Sequence, residues 1–249
     1  MTPVGYTLLR RGAVRVLVRD DVVTRLGPWL MAPVVRPPDG AESIASGRGG
    51  AYRTRLPPDL RVVVRPCRRG GWLGRLITST YVGCRPRPWQ ELEVSLRARA
   101  RAVPTPAILA ARVAGWGIYR GAVVSEEAVD TMTLAEALRE AGDGARRVGF
   151  ARAAGEAVAR LHDAGVEHAD LNLGNILVSL RSLDVPAQVI DLDKARMGAG
   201  PLDASARRRN LRRLERSWRR VTEGTPVPPD VREGFRAGYE GGDGPRCGC

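Results

Sequence analysis

Residues 166–178, VEHADLNLGNILV, place His168, Asp170, Asn172 and Asn175 in one short loop that runs into an apolar stretch. Sixteen residues after Asn175, the segment VIDLDKAR carries Asp191 at the end of a second apolar stretch, with Asp193 two residues on. A carboxylate, then a carboxamide, then a second carboxylate is what phosphoryl transfer asks of a protein. One group must orient the attacking hydroxyl and accept its proton, and oxygen ligands must hold Mg2+ against nucleotide phosphates. On this reading Asp170 is the base, and Asn175 and Asp191 are the metal ligands. His168, one of two histidines in the chain, reads as a brace for the loop backbone. Order and spacing carry the argument: an isolated Asp-x-x-x-x-Asn is noise, and a lone aspartate after a strand can simply cap a turn.

These residues need elements to hold them. Residues 145–164 form a long helical pattern that stops at Gly165, just before the loop. ILVSL and AQVID read as two short strands flanking a turn, which returns the chain from Asn175 to Asp191. Upstream, residues 12–26 alternate as a strand, LRVVVRP (60–66) is a β-branched strand, and IYRGAVVS (118–125) is another. Residues 88–101 put Trp89, Leu92 and Leu96 on one helical face, with Pro88 in the first turn. Thr133 precedes LAEAL as a helix cap, and residues 203–221 are helical and very basic. Strands dominate the first half and helices the second. The expected class is therefore α+β, two-lobed, with residues 1–125 as a β-rich N-terminal lobe and 126–249 as a helical C-terminal lobe. The end of the chain, 241–249, reads as a flexible tail.

Composition narrows the partners. The formal net charge is +13, and Lys194 is the only lysine among 40 basic residues. Such a balance attracts something anionic: nucleic acid, a membrane surface or a phosphorylated substrate. No apolar run approaches the roughly 20 residues that span a bilayer. The N-terminus lacks a basic start followed by a long apolar core, so no leader peptide is expected. The four cysteines show no metal-binding spacing.

The aspartate and asparagine stand at the spacing of a kinase catalytic loop. LHDAGVEHADLNLGNILV followed by VIDLDKAR resembles the 3-deoxy-D-manno-octulosonic acid (Kdo) kinases, of the lipopolysaccharide kinase branch of the protein-kinase-like fold. The resemblance runs from about Ile44 to Arg220. SGRGGAYR resembles the glycine-rich nucleotide loop of that family, and VVVRPCRRGGWLGRL its strand and basic Arg-Arg-Gly-Gly segment. RPWQELEVSLRARARAVPTPAILAARV resembles its first helix and the Pro-x-Pro link to the next strand. VVSEEAV resembles the lobe-connecting segment, and NLRRLERSW the late basic helix.

The resemblance implies a role for each matching position. Gly47, Gly49 and Gly50 would let backbone N–H groups approach the phosphates of ATP. Arg65 stands where a kinase normally has its phosphate-gripping lysine, and Glu91 would be the helix glutamate that holds it. Glu126 lies in the connecting segment and joins the nucleotide-binding set. Asp193 would help to orient the metal site. His-Ala-Asp in place of His-Arg-Asp removes the arginine that reads activation-loop phosphorylation, so no phosphorylation switch is expected. Arg68, Arg69 and Arg75, with Arg207, Arg208, Arg212, Arg213, Arg219 and Arg220, would meet a lipid-linked anionic sugar acceptor at the cytoplasmic face of the bacterial inner membrane, to which the protein binds peripherally. Leu211, Leu214, Trp218 and Val221 form a stripe on the same basic helix that reads as packing against the protein. The implied activity is Mg2+- and ATP-dependent phosphorylation of a Kdo hydroxyl on Kdo-lipid A in lipopolysaccharide biosynthesis, with no nucleic acid as partner. Two alternatives stay open: a kinase of another sugar, small molecule or protein in the same fold, and a non-catalytic basic module that keeps the fold without the chemistry.

Overall fold

In the computed structural model the described residues are 2–44, 50–67, 81–82, 86–221 and 227–241. Gly47, Gly49, Arg68, Arg69, Arg75 and residues 242–249 lie outside them. The chain groups into two compact units, Met1–Leu96 with Ala107–Glu127 and Arg97–Pro106 with Ala128–Cys249. The sequence expectation drew one cut after residue 125. The chain instead divides after Glu127, and the Pro-x-Pro link joins the second unit, where Pro104 accepts a hydrogen bond from the Val189 N–H at 2.8 Å.

The first unit is an antiparallel sheet with a helix on each face. Its strands are β1 (Tyr6–Arg11), β2 (Val14–Arg19), β3 (Glu42–Ser43), β4 (Tyr52–Leu56), β5 (Leu60–Pro66), β6 (Tyr81–Val82), β7 (Ile108–Trp116) and β8 (Ile118–Glu126), in the order β1-β2-β7-β8-β5-β4-β3 with β6 also on β8. Residues 12–26, expected as one strand, do three things. Gly12 turns the chain between β1 and β2, β2 follows, and a 3-10 turn at Asp20–Val22 leads into α1 (Val23–Leu30). Alternation along β2 explains why both faces are covered. Val16 and Val18 pack with Leu26 and Leu30 of α1, while Leu17 packs with Leu92 of α2 (Arg87–Ala100). Each fully buried Val or Leu contributes about 1.5–3 kcal/mol. Arg112 is buried in β7 and its guanidinium donates to Leu30, Ala32 and Pro33 carbonyls at 2.8–3.1 Å. It caps the C-terminal end of α1 with three of its five N–H donors, which makes its burial tolerable.

The second unit is mostly helical. Its elements are β9 (Thr131–Thr133), α3 (Leu134–Glu140), α4 (Gly144–Asp163), β10 (Val166–Glu167), β11 (Ile176–Ser179), β12 (Gln188–Val189), β13 (Arg196–Met197), α5 (Ala204–Val221) and α6 (Pro229–Gly241). Thr133 caps α3 through a reciprocal capping box with Glu136. Asp143 caps α4, and Gly165 ends it in the left-handed region at φ 76°. α6 was not anticipated. Its partner is α4, and the two backbones meet closely: a Cβ built on Gly155 would strike the Phe235 carbonyl, and one on Gly238 the Arg152 carbonyl. Small residues permit the approach, and their scatter among arginines hid the second helix from a search for apolar stripes.

Candidate active site

The loop of residues 168–175 is built from local hydrogen bonds. Asn172 Nδ2 donates to the Asp170 carbonyl at 2.9 Å, and its Oδ1 accepts from the Gly174 N–H at 2.9 Å. Asn175 Nδ2 donates to the same Asp170 carbonyl at 2.9 Å. A carbonyl only accepts, so the Asn175 nitrogen faces it and the amide oxygen is turned away from it. Asn172 is thus a staple with both ends in use, and Asn175 is anchored through its nitrogen.

His168 joins this loop to the segment that carries Asp191. The imidazole is 1% exposed. Its Nδ1 accepts from the Asp170 N–H at 3.1 Å, so the proton sits on Nε2, which donates to the Ile190 carbonyl at 3.0 Å. Burial pushes its pKa below the usual imidazole range, although the Ile190 carbonyl and the charges of Asp191, Asp170 and Asp193 pull the other way. A neutral ring is what the geometry needs, because a protonated Nδ1 cannot accept. The brace expected from the sequence is what the structure contains. Strand pairing completes the register: Ile176 pairs with Val189, and the Ile190 N–H donates to the Asn175 carbonyl at 3.0 Å.

Asp191 follows immediately with φ 65° and ψ 56°, left-handed values that cost a non-glycine residue about 1–2 kcal/mol. The hydrogen bonds on both sides of Ile190 hold it there. Among the described residues no three His, Cys, Asp or Glu side chains group to hold a metal ion by themselves. One carboxamide oxygen and one carboxylate do suit Mg2+, which keeps several waters and shares phosphate oxygens.

Four residues that position this loop escaped the sequence reading. Asn210 of α5 is fully buried, and its Oδ1 accepts from the His168 N–H at 3.0 Å and faces His162 Nε2 at 3.3 Å. Tyr239 of α6 meets His162 Nδ1 at 2.8 Å. Ser217 accepts from the Leu173 N–H at 3.2 Å. The usable signal was polarity inside an apolar stripe: Asn210 and Ser217 share the buried face of α5 with Ala206, Leu214 and Trp218. His162 is buried as well, and its pKa falls to about 4, first from burial and then from the nearby Arg207.

In the first unit, Arg65 of β5 forms an ion pair with Glu91 of α2, whose side chain is 5% exposed against 33% for the arginine. Gly50, at φ 60°, precedes β4, and the Ile44 N–H donates to the Ala51 carbonyl, so the glycine segment has a paired strand on each side. Glu126 ends β8. Its N–H donates to the Ala107 carbonyl and its carboxylate takes Arg19 Nη1 at 2.9 Å.

The basic helix sorts its arginines. Arg207 pairs with Asp163, Arg209 and Arg213 with Glu167, and Arg219 with Glu215. Arg208, Arg212, Arg216 and Arg220 are exposed on the outer face. Leu214 and Trp218 are buried, with Trp218 edge-on to Phe235, so the stripe is packing. No described helix is long and apolar enough to cross a membrane.

The lipopolysaccharide kinase (Kdo/WaaP) family profile matches residues 43–233. A 3-deoxy-D-manno-octulosonic acid kinase of Xanthomonas axonopodis pv. citri is 35% identical over 178 residues, 70% of this chain and 67% of that protein. The protein of the same name from Vibrio parahaemolyticus is 31% identical over 180 residues, 71% of each. Among solved structures, WaaP in complex with acyl carrier protein superposes with TM-score 0.53 at 20% identity, covering 80% of this chain and 77% of that one. The amicoumacin kinase hAmiN, in complex with AMP-PNP, Ca2+ and Ami, gives TM-score 0.55 at 11% identity, over 82% and 73%. The α+β fold expected from the sequence is therefore the protein-kinase-like one.

Proposed function

The chain belongs to the lipopolysaccharide kinase (Kdo/WaaP) family and is a phosphotransferase, and on that footing we propose that it moves the γ-phosphoryl group of ATP to a hydroxyl of a Kdo sugar on a lipid A precursor. The observation that carries the reading is the His168 brace, because it ties the base and the metal carboxylate to one rigid register. Asp170 orients the acceptor hydroxyl and takes its proton as the oxygen attacks. Asn175 and Asp191 hold Mg2+, which when bound offsets the charge on the phosphates. Arg65, steadied by Glu91, grips phosphate oxygens with the planar fork that suits them, in place of the usual lysine. Gly47, Gly49 and Gly50 present backbone N–H groups to the phosphates, and Glu126 belongs to the nucleotide-binding set. Asp193 steadies the metal side. Arg68 and Arg69 meet the anionic acceptor. The protein acts in inner-core assembly, bound peripherally at the cytoplasmic face of the inner membrane.

The test offers labelled ATP and Mg2+ with three acceptors in parallel: a Kdo-bearing lipid A precursor, a heptosylated core and a generic protein. Label is expected on the first. Label on the heptosylated core alone, or on protein alone, would replace the acceptor assignment while keeping the chemistry. Label on none, with the protein folded, would leave the non-catalytic module as the reading.

A further inference from the structure

One end of the first unit's sheet carries a feature that phosphoryl transfer does not use. The β1–β2 and β7–β8 hairpin tips lie side by side there, joined by a 3.0 Å hydrogen bond from the Gly115 N–H to the Ala13 carbonyl. At the second tip Trp116 is 64% exposed and Ile118, its cross-strand partner, 61%. Single exposed apolar residues need no explanation, but a tryptophan and an isoleucine opposite each other on one turn form a small apolar wedge.

The surroundings of the wedge are cationic. Register places Arg11 opposite Val14, Val14 opposite Ala114 and Ala114 opposite Arg120, so Arg11 and Arg120 share one row about 14 Å apart across three strand spacings. Arg10 lies opposite Arg15 in the next row. The Arg15 guanidinium stacks between two indoles, 4.2 Å from the Trp116 ring centre and 5.1 Å from Trp89, and donates to the Gly115 carbonyl at 3.1 Å. It therefore fixes the Trp116 ring from one side. β1, β2, β7 and β8 up to Val124 contain no aspartate or glutamate, and Arg10, Arg11 and Arg120 form no ion pair among the described residues.

We propose that this end of the sheet, with Trp116 and Ile118 at its tip and Arg10, Arg11, Arg15 and Arg120 around them, docks the protein on the interface of an anionic lipid bilayer. The match is chemical. Tryptophan favours the headgroup level, an adjacent isoleucine reaches the acyl boundary, and arginines meet lipid phosphates with their stems lying along apolar surface. The outer face of α5 fits this role less well. Among the described residues Arg208, Arg212, Arg216 and Arg220 give it charge, but its large apolar side chains are turned inward. An acidic protein would satisfy the charges equally, but the exposed Trp116 and Ile118 at the tip are the pair that a headgroup and acyl boundary accommodates. The inference rests on the proposed lipid-linked acceptor, which gives a kinase reason to sit at a bilayer.

The experiment measures cosedimentation with phosphatidylcholine vesicles, with and without phosphatidylglycerol, in the absence of ATP and acceptor. Its outcome is thus independent of whether the acceptor has been assigned correctly. Wild-type protein is expected to bind the anionic vesicles only. Trp116→Ser/Ile118→Ser should abolish most of that binding with an unchanged melting temperature. Arg10→Ser/Arg11→Ser/Arg120→Ser should weaken it about fivefold per arginine, near a hundredfold in all. Trp116→Phe should keep binding but lose part of the fluorescence quenching by brominated lipids. The proposal is overturned by wild type that ignores anionic vesicles, by tip variants that bind as wild type, or by loss only with Arg208→Ser/Arg212→Ser/Arg216→Ser/Arg220→Ser. Capture of an acidic carrier protein in place of vesicles overturns it equally.

Discussion

The loop of residues 168–175 in the second unit and the Arg65–Glu91 pair of the first are held in opposite ways. The loop is pinned by neutral hydrogen bonds from several directions: Asn172 and Asn175 within it, His168 through it, and Asn210 and Ser217 behind it. The pair joins two opposite charges, one deeply buried and the other one-third exposed, from residues 26 positions apart. Neutral networks keep their geometry over a wide range of salt, whereas a part-exposed ion pair can be screened and broken. On the proposed reading, the base and metal ligands would rest on a hydrogen-bonded frame, and the phosphate grip on a part-exposed ion pair.

The largest effect tests the rigid side. Asp170→Asn should cut turnover by about 10²–10⁴-fold, because an amide cannot take the hydroxyl proton. The side chain is exposed and the loop bonds run through the Asp170 backbone, so the melting temperature should hold. Near-normal turnover in folded protein would remove Asp170 from its role.

The charged side is sharpened by a double-mutant cycle. Arg65→Ala and Glu91→Ala should each lower transfer sharply, and the double variant should be little worse than either alone, since the two act as a unit. Arg65→Lys should fall between, keeping charge but losing the fork. Arg65→Ala should also destabilise the fold by about 1–3 kcal/mol, less than for a fully buried pair because the arginine is part-exposed. Full activity in folded Arg65→Ala would end the grip assignment. Rising salt should weaken nucleotide binding more than it changes the Asp170 loop.

A smaller effect separates the two regions by pH. His162 has a folded pKa of about 4 against 6.5 when free. A depressed pKa means that the unfolded chain binds more protons, so stability is present above pH 6.5 and is lost as pH falls toward 4. By pH 5 the loss should reach about 2 kcal/mol. His168 shifts in the same direction and adds to the slope. Melting temperatures of wild type and His162→Gln between pH 7.5 and 5 should show a shallower slope in the variant. Equal slopes would assign the acid sensitivity to other groups.

What could be read from the sequence follows from how far each contact reaches along the chain. The loop from His168 to Asn175 closes on itself within eight residues, so its His168 brace was legible from spacing. The helix stop at Gly165, the Thr133 cap and the strand pair leading to Asp191 were legible for the same reason, because turn and cap chemistry is local. Residues 12–26 misled because alternation continues from β2 into a helix start, and only the packing of Leu26 and Leu30 under the sheet decides that the chain coils there. Family resemblance pointed to the Arg65–Glu91 pair, but only the packing of α2 on the sheet, with Leu92 against Leu17, Ala111 and Val123, brings the charges together. The His162–Asn210–His168 network and α6 were decided by tertiary structure alone. Their partners lie 42–77 residues apart, and their signals, polar residues on a buried face and glycines where helices touch, acquire meaning only once the facing element is known. Short-range chemistry wrote the loop's polar groups into the sequence, while long-range burial determined what holds them.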